Sequence, residues 1–284
     1  MRPLVSITSG SNPYHRTIEC LQALGTIDYS GAKTAFIKFN TAPYHLIHST
    51  GAAGHPETVR AVIHYLRECG IRQIKAGDGP SAADPVKGFL ECGFTRVCQE
   101  ESVGLIDLDR AETVEVTIPG AQSLHSVPIT RVAMESDLLV DVAWMRTHGY
   151  TTISLCMKNL MGVIGQPRGI MHDPFPQKIT DLQSFLKPGL CVIDGTTALD
   201  EGTSRVPVPM DLTIAGQEAV SVDAVGTTIM GFDPLEIEHI WLAQERGLGI
   251  AALEGIEQVG CPLAEVKRSF ARLGKGFRTV AAQR

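Results

Sequence analysis

His148 and Lys158 lie ten residues apart in the segment DLLVDVAWMRTHGYTTISLCMKNLMG, residues 137–162. An apolar run ends there in Arg146, Thr147, His148 and Gly149, and a second polar knot, Lys158-Asn159, follows. LLVDVAWM predicts a buried strand, and the exit of a buried strand is a costly place to keep an arginine and a histidine. Two cations, an imidazole that titrates near neutrality and a glycine turn suit a site that holds an anion and moves a proton.

Other polar residues end other predicted strands: Lys38 and Asn40 after TAFI, Asp78 after RQIKA, and Asp194 after LCVI. In open parallel sheets, ligands bind outside the carboxyl ends of the strands, near the point where strand order reverses. Convergence of these groups on one sheet edge would make a site that no single residue specifies. In that reading Lys38, Arg146 and Lys158 hold a carboxylate or phosphate and stabilise developing negative charge. His148 moves the proton, and Asp194 or Asp78 orients it or serves as the opposing acid or base.

Each residue also has a plainer role. His148 could cap a carbonyl, and Lys158 could lie solvated on a helix face, although a half-buried lysine needs an anionic partner or a lowered pKa. Arg146 could pair with Asp141 or Glu135. Lys38, Asn40, Asp78 and Asp194 could be strand-end salt-bridge or turn residues. His55 precedes Pro56 at a helix start and suits a cap there. Asp223, on an apolar helix face, would need hydrogen-bond donors if buried, as an organiser or a proton-transfer partner.

The elements that must position these groups alternate. KTAFIKF (33–39) predicts a strand. PETVRAVIHYLRECG predicts a helix with Pro56 in its first turn, Val59, Val62, Ile63 and Leu66 on one face, and Gly70 as its stop. IRQIKA is the next strand, and a helix near 85–92 closes at Gly93. Strands are expected near TRVCQ and VEVTI. After LLVDVAWM, helical spacing of Ile153, Met157, Leu160 and Ile164 predicts a helix capped by Thr151 or Thr152. QKITDLQSFL is helix, LCVIDG and LTIAG are strands, and a helix carries Val222, Val225 and Ile229. Asp233-Pro234-Leu235-Glu236 reads as a capping box for a last helix through Ile237, Ile240 and Trp241 to Gly247. The alternation implies an α/β fold: a mostly parallel or mixed sheet with helices on both faces, Rossmann-like in its layering but without a nucleotide fingerprint. The chain, 1–284, reads as a single α/β domain, with 130–136 the place where two lobes would meet.

Composition bounds the function. Apolar residues make up 44% and charged residues 20%, ordinary for a soluble globular chain. The net charge of −6 gives no basic footprint, so nucleic acid is not an expected partner. The first residues turn polar too soon for a secretory signal, and no apolar run reaches the roughly eighteen residues of a membrane helix. Seven scattered cysteines without a C-x-x-C pair fit a reducing cytoplasm better than a disulfide framework or a metal ribbon. GDGP and STGAAGHPE could receive an anion at a helix start, but neither has P-loop or G-x-G-x-x-G spacing. No G-x-S-x-G elbow, H-E-x-x-H or paired-cysteine motif is present. The expected partner is a small anionic substrate rather than a membrane or nucleic acid, with room for a homo-oligomer. No nucleotide, redox or metal cofactor is expected. A metal-dependent enzyme using Asp78, His148 and Asp194 is the alternative from another class.

IKFN at 37–40, TGAAGHPETVRAVI at 50–63, AGDGPS at 76–81, MRTHG at 145–149, MKNLMG at 157–162, VIDGTTALDEG at 193–202 and AGQEAVSVDAVGTTIMGFDP at 215–234 together resemble the family known as domain of unknown function 362. The resemblance implies family positions at Lys38, Asn40, His55, Thr147, His148, Lys158, Asn159, Asp194 and Asp223, and so adds Thr147 and Asn159 to the candidate substrate contacts. The chain departs from the family pattern in carrying Arg146 where lysine is usual before Thr-His, which keeps an anion contact and weakens a Schiff base there. It also has no cysteine-rich, ferredoxin-like segment of the kind many relatives carry, so an iron–sulfur role is not expected. A truncated, non-catalytic redox-accessory protein is the remaining alternative. Isomerisation, elimination, decarboxylation and cyclisation fit the expected parts equally well.

Overall fold

A computed structural model describes residues 2–41, 50, 52–80, 85–201 and 205–272. In chain order the described elements are β1 (Leu4–Ser9), α1 (Pro13–Gln22), β2 (Thr34–Lys38), α2 (Pro56–Glu68), β3 (Gln73–Asp78), α3 (Pro85–Glu91), α4 (Phe94–Glu100) and β4 (Gly104–Asp107). A ribbon of β5 (Thr113–Thr117) and β6 (Ser126–Thr130) leads through α5 (Arg131–Glu135) to β7 (Leu138–His148), β8 (Thr152–Ser154) and α6 (Cys156–Asn159). Then come α7 (Phe175–Phe185), β9 (Leu190–Asp200), β10 (Val206–Gly216), α8 (Ala219–Ile229), α9 (Glu238–Glu245), β11 (Glu257–Gly260) and α10 (Leu263–Val266).

One sheet runs in the order β11-β1-β10-β9-β7-β2-β3-β4, with β8 folded back on the end of β7. Along that order only β10 opposes the rest, so the sheet is mostly parallel and the α/β expectation holds. From β2 the chain steps outward through β3 to β4, and from β7 it steps the other way through β9. Strand order therefore reverses between β2 and β7, which pair in parallel from Ala35↔Leu138 to Lys38↔Asp141. Strands from both sides of residues 130–136 share this sheet.

Every residue of β7 is buried except the half-buried His148, as a strand covered on both faces requires. Phe36, Leu139, Ala143, Met145 and Ile193 pack with Val225 and Ile229 of α8 on one face. Ile37, Val140, Val142 and Val192 pack with Val59, Val62, Ile63 and Leu66 of α2 on the other. Each of these side chains larger than alanine contributes about 1.5–3 kcal/mol on burial. Helix α2 begins as expected: the His55 side chain accepts from Glu57 N, Pro56 opens the first turn, and Gly70 takes φ +93° just beyond the end.

Three local expectations fail for identifiable reasons. TRVCQ is not a strand but the middle of α4, because Phe94, Val97 and Cys98 are spaced three and four apart and bury one helical face. The segment after β7 does not start a helix at Thr151 or Thr152, because Thr152–Ser154 pairs back on β7. Its helix, α6, begins at Cys156, where the Asp223 carboxylate accepts the N–H groups of Cys156 and Met157 at 2.8 and 2.9 Å. Asp233 does accept from Leu235 N, but it caps only the 3-10 turn Pro234–Glu236, and α9 starts separately after Ile237. Strands β1, β4, β6 and β11 and helix α1 lie outside the sequence-based expectations.

Candidate active site

The carboxyl ends of β2, β3 and β7, with α6, surround a cleft of about 370 Å³. Lys38, Asn40, Asp78, Arg146, His148, Lys158 and Asn159 all line it, together with Gly162, Arg168, Tyr150, His172 and Phe175. It sits where strand order reverses, the place an open parallel sheet reserves for ligands.

The floor of the cleft is a closed polar network. Lys38, 1% exposed, pairs with Asp78 Oδ1 at 2.8 Å and donates to Phe39 O at 2.6 Å and Asn159 Oδ1 at 2.7 Å. All three ammonium protons are therefore committed. Asp78 also accepts from Thr41 N, Thr41 Oγ1 and Gly79 N. Asn40 Nδ2 donates to Asn159 Oδ1 at 2.9 Å, and Asn159 Nδ2 donates to Asp141 Oδ1 at 2.5 Å. Burial holds the Asp141 carboxyl well above the usual carboxylate range despite Lys38, and its Oδ2 has no hydrogen-bond partner among the described residues. Lys38 and Asp78 thus face the cleft but bind each other, and their geometry is that of a scaffold rather than of substrate contacts. Two glycines permit it: a Cβ on Gly162 would lie 2.1 Å from Lys38 Cε, and one on Gly79 would lie 2.1 Å from Arg168 Nη2.

The wall above this floor is cationic and titratable. Arg146 pairs with Glu201, and its Cζ stands 5.7 Å from the Trp144 ring centroid. Arg168 pairs with Asp109 and donates to Gly162 O at 3.0 Å. Lys158 Nζ lies 5.7 Å from the Phe175 ring centroid, with no carboxylate within 4 Å among the described residues. Burial, reinforced by the neighbouring Arg146, lowers its pKa to about 7. Burial, then Lys158 and Arg146, pushes the His148 imidazole far below its ordinary value, so it is neutral across the physiological range. Its Nδ1 accepts from Tyr150 N at 3.2 Å, which assigns the ring proton to Nε2. Neutral His148 is therefore a hydrogen-bond donor, and Lys158 is the cleft group poised to change charge near pH 7.

Residues 36–228 match the family described as Domain of unknown function (DUF362). This chain belongs to the DUF362 family. It is 23% identical over 211 residues to the thylakoid-associated protein sll1697 of Synechocystis sp., a match covering 70% of this chain and 64% of that relative's length. It shares a fold-level likeness with a crystal structure from Thermotoga maritima, at TM-score 0.47 and 11% identity over 84% of this chain and 60% of that one. The lactate racemase apoprotein of Thermoanaerobacterium thermosaccharolyticum is similar at TM-score 0.45 and 12% identity, over 81% of this chain and 57% of that one. Neither structural likeness bears on chemistry. Among the described residues of the DUF362 chain, no helix is long and apolar enough to cross a membrane.

Three candidate positions of this DUF362 chain do not join the cleft. Asp194 shares strand parity with Val192 and turns to the α1 and α2 face, whereas Lys38 and Asp141 share that of Phe36 and Leu139 and turn to the other. Asp194 accepts from His55 N and from Thr196 N and Oγ1, and it approaches Arg16 at 4.0 Å. It anchors the entry to α2, and the expectation that it assists His148 is corrected. His55 caps α2. Thr147 accepts from Glu201 N at 2.6 Å and donates to Asp200 Oδ1 at 3.3 Å, binding β7 to β9 instead of lining the cleft. Asp223 is the organiser of the two roles considered for it: it fixes the first turn of α6 and so aims Lys158, and burial raises its own pKa to about 7. Asp78, His148 and Asp194 do not converge, and among the described residues no three His, Cys, Asp or Glu side chains cluster as metal ligands. Arg168, Tyr150 and Phe175 were not expected at the site, and His172 was considered only as an available metal ligand. A cation between Pro167 and Gly169 and aromatic residues just past a strand exit were the available signals.

Proposed function

We propose that this DUF362 protein is an enzyme that moves a proton on a small anionic metabolite held in the cleft beside β2 and β7. The observation that carries this reading is the isolation of Lys158. Each of the other lysine or arginine side chains lining the cleft has a carboxylate partner: Lys38 has Asp78, Arg146 has Glu201 and Arg168 has Asp109. Lys158 ends in the cleft without one among the described residues. A cation placed this way is stabilised by a ligand anion, and a neutral amine there is a base for a proton on the carbon or oxygen of that ligand.

Arg146 supplies standing positive charge next to Lys158, and neutral His148 presents Nε2–H to charge that develops as the proton leaves. A lysine near pKa 7 is matched to work at neutral pH, because both its forms are populated there. Asp194, turned to the opposite face of the sheet, has no part in this scheme. Isomerisation, elimination and cyclisation can each begin with such a transfer, whereas decarboxylation would end with the reverse one, Lys158 delivering a proton to the carbanion left when carbon dioxide departs.

Enzyme-dependent deuterium exchange into a panel of small carboxylic and phosphorylated acids, followed by NMR in deuterated buffer, tests this reading. Lys158→Met should lower the exchange rate about 10²–10⁴-fold while circular dichroism stays unchanged. Exchange at the wild-type rate in a folded Lys158→Met variant would refute it.

A further inference from the structure

The cleft has two unlike halves. Its inner half offers positive charge, from Arg146 and Lys158, above the closed floor that Asn159 helps to build. Its mouth is built from rings. Tyr150, 53% exposed, stands 5.8 Å from the His172 ring at an interplanar angle of 34°, and 6.3 Å from Phe175 at 62°. His172 and Phe175 meet edge-to-face at 5.3 Å and 85°. Lys158 Nζ, 5.7 Å from the Phe175 centroid, joins the halves. Neither the Tyr150 ring nor His172 has a part in the proton transfer proposed above, where Tyr150 serves only through its backbone N–H on His148. Tyr150 is partly exposed and lines the same cleft as Arg146 and Lys158, so its ring stands beside the place where the anion is held.

We infer that the anion taken by this cleft carries a flat, conjugated ring, which lies against Tyr150 and His172 while its carboxylate reaches Lys158 and Arg146. This inference rests on the anion reading of the site and narrows its substrate class. A bare phosphate or an acetate-sized acid would use the inner half and leave the rings uncovered. A cationic aromatic or quaternary ammonium ligand, which rings also attract, is opposed by Arg146 and Lys158 in the same cleft. A saturated ring has the apolar area but no π-face, so it gains burial without the offset or edge-on contact that aromatic pairs prefer. The cleft volume of about 370 Å³ is within the range of small-molecule sites. Tyr150 and His172 are thereby specificity residues, and Lys158 remains the group that meets the reacting end.

Calorimetric titration of the full chain with benzoate and with cyclohexanecarboxylate tests this. Wild type should bind benzoate about five- to tenfold more tightly than the saturated acid, the worth of one aromatic pair. Tyr150→Ala should bring benzoate to the level of cyclohexanecarboxylate, and Lys158→Met should weaken both acids alike. Equal binding of the two acids by wild type, a benzoate preference that survives Tyr150→Ala, or binding of neither acid would overturn the inference. Equal binding that Lys158→Met still weakens would remove only the ring and leave the anion reading standing. Indifference of both acids to Lys158→Met would remove the anion reading itself.

Discussion

Lys38 and Asn159 are 121 residues apart in the chain, and Lys38 Nζ donates to Asn159 Oδ1 at 2.7 Å. Through that one amide the end of β2 is tied to α6, because Asn159 also accepts from Asn40 and donates to the buried Asp141. The helix that carries Lys158 is thus held from below by Asn159 and from its start by Asp223. A site on so short a helix depends on such supports, since four residues make no stable helix alone.

Asn159→Ala should destabilise the protein by about 2–4 kcal/mol, read as a lower urea midpoint at unchanged m-value. The truncation leaves a buried ammonium and a buried carboxyl each short of a partner. A loss below about 0.5 kcal/mol would show that solvent or a neighbour replaces the amide without cost.

Gly162→Ala tests the close approach under the cleft. The added methyl would meet Lys38 Cε at 2.1 Å and Nζ at 2.7 Å, and a buried lysine with committed donors has little room to yield. The expected cost is about 1–3 kcal/mol, with the Lys38–Asp78 pair displaced in a crystal structure of the variant. An undisturbed pair and an unchanged melting temperature would mean that the floor is softer than its contacts imply.

Lys158 should react with an amine-directed acylating reagent half-maximally at a pH of about 7, because only the neutral amine attacks and burial with Arg146 lowers its pKa to about that value. A free lysine amine in a model peptide has its midpoint at pH ~10.4. Arg146→Met removes the like charge and should move the Lys158 midpoint upward. Competitive labelling across pH, read by peptide mass spectrometry, measures both. A Lys158 midpoint indistinguishable from that of the exposed lysines would remove its claim to be the base.

The same group sets a pH dependence of stability. Its pKa is lower in the folded chain, so the unfolded chain binds the proton more tightly, and stability rises with pH from about 7 upward. The rise ends near the unfolded value of ~10.4. Lys158→Met should abolish this slope and stabilise the protein at neutral pH by about 1 kcal/mol, the usual sign for removing an unpaired buried charge from an active site. Matched urea titrations of wild type and variant at several pH values check it; parallel curves across the window would contradict the assignment.

Helix α2 and strands β2, β7 and β9 were legible from residue order because periodicity and caps are local properties. His55, Pro56 and Gly70 need only their own turn, and a strand buried on both faces must be apolar throughout. The rule that ligands gather at strand ends pointed to Lys38, Asn40, Asp78, Arg146 and His148, which line one cleft, and to Asp194, which turns away from it. Lys158 was read from its apolar surroundings and Asn159 from the family resemblance. The α4 segment was misread because three apolar residues in five fit either period, and burial of Phe94, Val97 and Cys98 against one face decided it. Tyr150 and Arg168 went unread, and His172 was weighed only as a metal ligand, because their loops approach one another only in space.

The amino-acid order alone determined the α/β alternation, the strand exits rich in charge and the absence of a nucleotide loop, since these follow from backbone geometry and side-chain type along the chain. Only the tertiary structure decided which way each strand-end residue points. A one-residue difference in parity sends Asp194 to the α2 face and Lys38 to the cleft. It also decided which charges are already spent. Lys38 and Asp78 neutralise each other across adjacent strands, whereas Lys158 has no carboxylate within 4 Å among the described residues, and burial beside Arg146 makes it titrate near neutrality.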